Sequence, residues 1–163
     1  MSYEICCKIL WGNFMVFVCI ILLIVAAESI IKSKRERNGR IGIKEPVFGG
    51  KLYLTKYHNY GAFLNMGEKY PWLVKAVSFG LCIACTAIFI LTLGGKGGLL
   101  LKTALAILLG GAYSNTYDRM VRGYVVDYFG FHVKNKKIRS VVYNISDFCI
   151  VIGAMLAVLG ESK

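Results

Sequence analysis

Gly110-Gly111-Ala112-Tyr113-Ser114-Asn115-Thr116-Tyr117-Asp118-Arg119 is the stretch on which the architecture turns. It closes an apolar run that starts at Leu99 and, taken only as far as Ala112, is too short to cross a bilayer. A transmembrane helix takes about 20 residues, within a range of roughly 17 to 25. If the helix continues through Ser114 and Asn115 to Asp118, the run reaches that length, and the chain has four such segments rather than three. The others are long enough alone: Phe14 to Ile31, whose one charge is Glu28; Trp72 to Leu93, with Lys75 near its start; and Val141 to Gly160, with Asp147 near its start.

Composition agrees. The chain has 163 residues and is 56% hydrophobic, with a mean hydropathy of +0.58. That apolar content comes in blocks rather than one-sided stripes, unlike an ordinary soluble domain. The expected fold is all-α transmembrane, a four-helix membrane bundle making one integral domain over residues 1–163, with spans at about 11–31, 72–93, 98–118 and 141–160. Lys8, the apolar core and Val25-Ala26-Ala27 have the layout of a secretory signal. The run is longer than a usual signal core and Glu4 weakens its basic start, so an uncleaved first span is expected.

Two polar excursions, 32–71 and 119–140, separate the spans on one side of the membrane. In the first, Val47 to Tyr57, with Gly49-Gly50 and Leu52-Tyr53-Leu54-Thr55, reads as a short strand or hairpin, part of a small sheet on the membrane surface. In the second, Phe129 to Val133 and Ile138 to Tyr143 could form another hairpin. Gly94-Gly95-Lys96-Gly97-Gly98 is a tight turn between the second and third spans. Gly110-x-x-x-Ser114 is a small-residue pair that permits close approach of another helix. The six cysteines lie in or beside the spans; Cys82-x-x-Cys85 has no second pair and no nearby His, so packing is expected and no metal is assigned.

Beyond residue 68 the chain has four acidic residues, and three of them, Asp118, Asp127 and Asp147, fall beside the lipid-facing blocks. Acidic groups there are costly and mark functional sites when they find partners. Two carboxyls in a poorly solvated place share one proton and titrate as a unit, an arrangement suited to peptide hydrolysis by general acid–base catalysis. Three pairs are open: Asp118 with Asp147, Asp118 with Asp127, and Asp127 with Asp147. Asp118 shares a helix face with Gly111 and Asn115 and suits an orienting or ion-paired role. Asp127, inside Tyr124-Val125-Val126-Asp127-Tyr128-Phe129, sits where a raised pKa is easier to obtain. Asn144 and Asp147 share a face at i and i+3. His58 and His132 have no obvious nucleophile beside them.

These motifs together resemble the lipoprotein signal peptidases, or signal peptidase II, which are bacterial four-span aspartic proteases. The resemblance is carried by Gly110-Gly111-Ala112-x-x-Asn115-x-x-Asp118-Arg119, Gly123-x-Val125-Val126-Asp127-Tyr128 and Asn144-x-x-Asp147. Asn59-x-Gly61-Ala62-Phe63 and Ala26-Ala27-Glu28-x-x-x-Lys32 extend it over nearly the whole chain. It implies a catalytic dyad of Asp127 and Asp147, with Asn59, Asn115, Asp118, Arg119, Asn144 and Glu28 supporting it or contacting substrate. The implied reaction cuts a diacylglyceryl-modified prolipoprotein before its lipidated cysteine, without a cofactor. The partners would be that substrate and membrane lipids, with the chain acting as a monomer. The implied location is the cytoplasmic membrane, multi-pass, with the active site toward the extracytoplasmic face.

This chain departs from the family in having Glu28 where the family has Asp and Ser146 where it usually has Ala. It also lacks the usual Pro at Val141-Val142 and is one residue shorter around Ala62-Phe63. A divergent member is expected. The second reading is a non-catalytic membrane paralogue that binds lipidated peptides or a partner helix. The net charge of +11 flanks the membrane spans, which speaks against nucleic acid. Residues 32–71 hold nine Lys or Arg and residues 119–139 hold six, so charge alone would put the excursions in the cytoplasm. The motifs require the opposite, since an inward-facing dyad never meets an exported lipoprotein.

Overall fold

The computed structural model describes the backbone of residues 2–62, 66–94 and 98–161, and the side chains of 14–62, 66–94, 98–135 and 138–160. Phe63, the middle of the expected turn at residues 95–97, and the side chains of Cys6 and Cys7 lie outside these. The chain runs α1 (Ser2–Asn38), β1 (Glu45–Val47), β2 (Leu52–Asn59), α2 (Pro71–Gly94), α3 (Leu99–Val121), β3 (Val125–Phe131), α4 (Lys136–Arg139) and α5 (Ile145–Glu161).

The stretch in question is helical throughout: α3 passes Ser114, Asn115 and Asp118 unbroken and ends at Val121, 23 residues in all. It is the hub, packed against α1, α2 and α5. Its glycines make this possible. A Cβ on Gly110 would lie 2.9 Å from the Ile24 side chain of α1, and one on Gly111 would lie 2.5 Å from the Ser146 carbonyl oxygen of α5. The expected small-residue contact is therefore made with α1. Further along, Phe17, Phe89, Leu105, Ala106 and Leu109 form an apolar seam joining α1, α2 and α3. Gly123, with φ +89°, stops α3 in a left-handed turn, its N–H donating to the Asp118 carbonyl at 3.2 Å.

Two helical segments, Phe14–Asn38 and Pro71–Gly94, are long and apolar enough to cross a membrane, and only 11% of the apolar window in each is buried. Their apolar side chains face outward, the reverse of a soluble core, and this supports membrane association. In α5 the apolar helix Ile145–Gly160 is shorter. α3 is less apolar because one of its faces carries Ser114, Asn115 and Asp118, all buried. α1 runs past the expected end at residue 31 to Asn38; Arg35 and Arg37 in its last turn complement the helix dipole.

The first excursion forms the expected hairpin, β1 and β2 joined by a turn at Phe48–Gly50 where Gly49 and Gly50 have positive φ. The second hairpin does not form. β3 instead joins the first excursion's sheet, antiparallel to β2, giving the order β1-β2-β3. Residues 136–139 make a single helical turn, and Tyr143 pairs with β3 at Phe129 as an isolated bridge rather than as part of a strand. A strand as apolar as β3 gains more from the open edge of an existing sheet, which satisfies its main-chain groups, than from a marginal two-stranded ribbon.

Candidate active site

Sheet register builds the first wall of the site. Tyr57 lies opposite Asp127 and Asn59 opposite Val125. Because side chains alternate along a strand, these four share one face. That face lines a cavity of about 880 Å³. Opposite stand Asn115 and Arg119 from the end of α3, and Asp147, Phe148 and Val151 from the start of α5. Asp127 and Asp147 thus reach the same space from a strand and a helix.

Three asparagines hold the two carboxyls, and each is fixed in its own orientation. The Asn59 side-chain oxygen accepts the Gly61 N–H at 3.0 Å, which turns its amide NH2 to Asp127 Oδ2, also at 3.0 Å. The Asn115 oxygen accepts Lys32 Nζ at 2.8 Å, which turns its NH2 to Asp147 Oδ1 at 2.9 Å. The Asn144 oxygen accepts the Asp147 N–H at 3.1 Å, which turns its NH2 to Asp127 Oδ1 at 2.6 Å. The Asn144 N–H also donates to Asp147 Oδ2 at 3.1 Å. Among the described residues each carboxyl oxygen therefore has one donor, which leaves a second lone-pair direction for a proton or water.

Burial raises the Asp127 carboxyl to about 7, and the Asp147 charge pushes it in the same direction. The hydrogen bonds from Asn144 and Asn59 oppose this, as does Lys32. Desolvation and a like charge outweigh the donors, so Asp127 holds a proton through much of the acid range.

Asp118 does not reach the cavity. It is 2% exposed, ion-paired to Lys32 at 3.3 Å and Arg122 at 3.5 Å, and it accepts the Val126 N–H at 3.3 Å, anchoring β3. Glu28 is buried too, 1% exposed, and does not itself line the cavity. Of the expected residues, Asp127, Asp147, Asn59, Asn115 and Arg119 line the cavity, and Asn144 bridges the two carboxyls from below. Arg119 donates to the Gly61 carbonyl at 3.0 Å, tying the loop after β2 to α3.

Lys32 escaped the sequence reading as a site residue. It is fully buried and touches Ser114, Asn115, Glu28 and Asp118. Its signal was present: Glu28 and Lys32 stand one helical turn apart at the end of an apolar block, a spacing that pairs opposite charges. Tyr128 was also missed as a site residue. Its hydroxyl takes the Ile145 N–H at 3.1 Å, and burial pushes it well above the usual tyrosine range.

Comparison with known proteins identifies the family. A family model described as Signal peptidase (SPase) II matches residues 13–162. The chain belongs to the signal peptidase II family. It is 31% identical over 142 residues to "Lipoprotein signal peptidase" of Bacillus subtilis (strain 168), covering 87% of this chain and 90% of that protein. It is 37% identical over 113 residues to the protein of the same name from Alteromonas mediterranea, covering 67% of this chain and 60% of that one. The fold matches "Bacterial membrane enzyme structure by the in meso method at 2.3 A resolution" with a TM-score of 0.76 at 21% identity, over 90% of this chain and 87% of that one. A second structure, so titled at 1.9 Å, matches with a TM-score of 0.74 at 22% identity, over 91% and 93%. The signal peptidase II family is one of peptidases, and its fold is here that of bacterial membrane enzymes.

Proposed function

We propose that this signal peptidase II family member is an aspartic endopeptidase of the cytoplasmic membrane, with Asp127 and Asp147 as its catalytic dyad. In this reading all four long helices cross the bilayer as a single domain, and the sheet lies at the extracytoplasmic surface. The substrate is a diacylglyceryl-modified prolipoprotein, cut before the lipidated cysteine. The observation that carries the proposal is the convergence of the two carboxyls on one cavity, each oxygen holding one donor among the described residues.

The chemistry follows from a shared proton. The ionised carboxylate takes a proton from a water whose oxygen adds to the scissile carbonyl carbon. The protonated partner, for which Asp127 with its pKa of about 7 is suited, gives its proton to the carbonyl oxygen. In the second half the tetrahedral hydrate collapses. Its hydroxyl proton returns to Asp127, the C–N bond breaks, and Asp147 protonates the departing amine. The asparagines hold both groups without competing for protons, since an amide neither gains nor loses one near neutral pH. Val141, Val142, Phe148 and Val151 give the cavity an apolar side for acyl chains or the signal-peptide helix, and Arg119 borders the same space. The Arg119 Nε is buried with no hydrogen-bond partner among the described residues, which leaves a donor for a bound peptide carbonyl.

The test is incubation of purified protein with a diacylglyceryl-modified precursor peptide, using Asp127→Asn and Asp147→Asn singly. Each amide keeps the shape but cannot shuttle the proton, so turnover should fall about 10²- to 10⁴-fold in a protein that still inserts. Cleavage at the normal rate by either variant refutes the dyad. Peptide binding without cleavage by the unaltered chain supports the non-catalytic paralogue instead. A topology reporter fused within residues 34–44 tests orientation, and a cytoplasmic signal there ends the proposal.

A further inference from the structure

Glu28 makes contacts that lead to both aspartates at once. Its Oε1 accepts the Tyr128 hydroxyl at 2.6 Å. That hydroxyl already accepts the Ile145 N–H at 3.1 Å, so its single proton is committed to Glu28. Its Oε2 accepts the Ser146 hydroxyl at 2.6 Å and the Ser146 N–H at 3.2 Å, with Lys32 Nζ at 3.5 Å. Tyr128 follows Asp127 directly, and Ser146 precedes Asp147 directly. One carboxylate on α1 therefore grips β3 beside one aspartate and α5 beside the other.

The grip also completes the start of α5. A helix leaves its first N–H groups without partners inside the helix. Here Ile145 donates to Tyr128, Ser146 to Glu28, and Asp147 to Asn144. Glu28 and Ser146, two of the positions at which the resemblance to the family breaks, are the two ends of one 2.6 Å hydrogen bond. A serine supplies a second donor to that carboxylate, which an alanine lacks.

We infer that Glu28 and Ser146 act as a coupled positioning pair that sets how Asp127 and Asp147 face one another during the proposed cleavage. The inference rests on the dyad reading. Neither residue lines the cavity, so they act through Tyr128 and the first turn of α5 rather than by touching substrate.

The experiment measures kcat, KM and the pH–rate profile on a diacylglyceryl-modified precursor peptide for the full chain, Glu28→Gln, Ser146→Ala and the double variant. Rates are normalised to the folded fraction by size exclusion and thermal melting. Misplacing reacting groups by about 1 Å costs on the order of 10²-fold, so Glu28→Gln should lower kcat about 10- to 100-fold with little change in KM. Its pH–rate profile should shift, because the spacing of two carboxyls sets how their titrations couple. Ser146→Ala should lose less, about 3- to 10-fold, and the double variant should be no worse than Glu28→Gln alone.

Losses that multiply, or a profile of unchanged shape scaled by the folded fraction, overturn the pairing and leave Glu28 a purely structural group. If Glu28→Gln does not fold, Ser146→Ala decides alone, and a pH–rate profile superimposable on the parent's overturns the inference. Cleavage by the full chain with unaffected variants sinks only the positioning pair. Absence of cleavage by the full chain sinks the dyad reading, and this inference with it.

Discussion

Asn144 and Asp147 cap one another at the start of α5: the Asn144 side-chain oxygen accepts the Asp147 N–H, and the Asp147 carboxylate accepts the Asn144 N–H, both at 3.1 Å. This is a capping box with an acid in the return position. The same carboxyl that faces the cavity thus also builds the helix that presents it. Cap and catalytic candidate are not rival descriptions of Asp147 but two consequences of one geometry.

Asn144→Ala removes the acceptor for the Asp147 N–H and the 2.6 Å donor to Asp127. Loss of an N-cap costs about 1 kcal/mol, and stripping a donor from a buried carboxyl adds roughly 1 to 3 kcal/mol. Asn144→Asp keeps the cap acceptor but points an oxygen, not an N–H, at Asp127. Thermal unfolding in detergent should therefore separate the two, with the Ala variant losing the cap and the Asp variant keeping it. Both should lose most of their turnover. Near-parental activity in either one removes Asn144 from the site.

The Asp127 carboxyl titrates near 7 in the folded chain, against an ordinary value of 3.8. Between those values the folded state binds more protons than the unfolded one. The stability this group contributes is thus full below about pH 3.8 and is lost as pH rises through 7. Asp147→Asn removes the like charge, the second of the two causes, and should lower the Asp127 value and weaken that slope. Melting temperatures taken from pH 4 to 8 on both proteins check this. Equal slopes would mean that the two carboxyls do not feel each other.

Much of this was legible in the sequence, and the reasons differ by element. Apolar blocks announce helices because burial in lipid needs no partner-specific pattern, and α3 could be extended to Asp118 because Gly111, Asn115 and Asp118 keep helical spacing. The pairing of β2 with β3 was not legible. Asn59 and Asp127 are 68 residues apart, and no local signal specifies which edge a distant strand will take. Without that register, three aspartate pairs stayed open. Lys32 was hidden for another reason: it begins a run of surface cations, and only the interior reveals that it alone among Lys32, Lys34, Arg35 and Arg37 is buried.

Lys32 should be the most sensitive position outside the cavity. It is fully buried, within 3.5 Å of Glu28 and 3.3 Å of Asp118, and it fixes the Asn115 amide through a 2.8 Å hydrogen bond. Lys32→Met keeps the length but strands two buried carboxylates. Breaking one side of a buried ion pair costs roughly 3 to 5 kcal/mol. Asp118→Asn leaves Glu28 to balance the lysine and should cost clearly less. A thermal scan in lipid nanodiscs ranks the two, and a milder effect for Lys32→Met contradicts the assignment.

Gly111 controls the distance from α3 to α5, and through it the place of Asp147. An added Cβ would lie 2.5 Å from the Ser146 carbonyl oxygen and 2.9 Å from the Cys149 Cβ, contacts that neither backbone can relieve by turning a side chain. Gly111→Ala must push α5 outward at its first turn, where Ser146 meets Glu28 and Asp147 meets Asn115. Overpacking of this kind costs about 1 to 3 kcal/mol. Gly80, in α2, has open space around it, so Gly80→Ala should be neutral or slightly stabilising, by about 0.5 to 1 kcal/mol of helix propensity. The pair forms a matched test by thermal unfolding and turnover. Gly111→Ala should lose activity out of proportion to its stability because the displaced helix carries an aspartate of the pair. Equal tolerance at both positions would show that α5 can shift without disturbing the site.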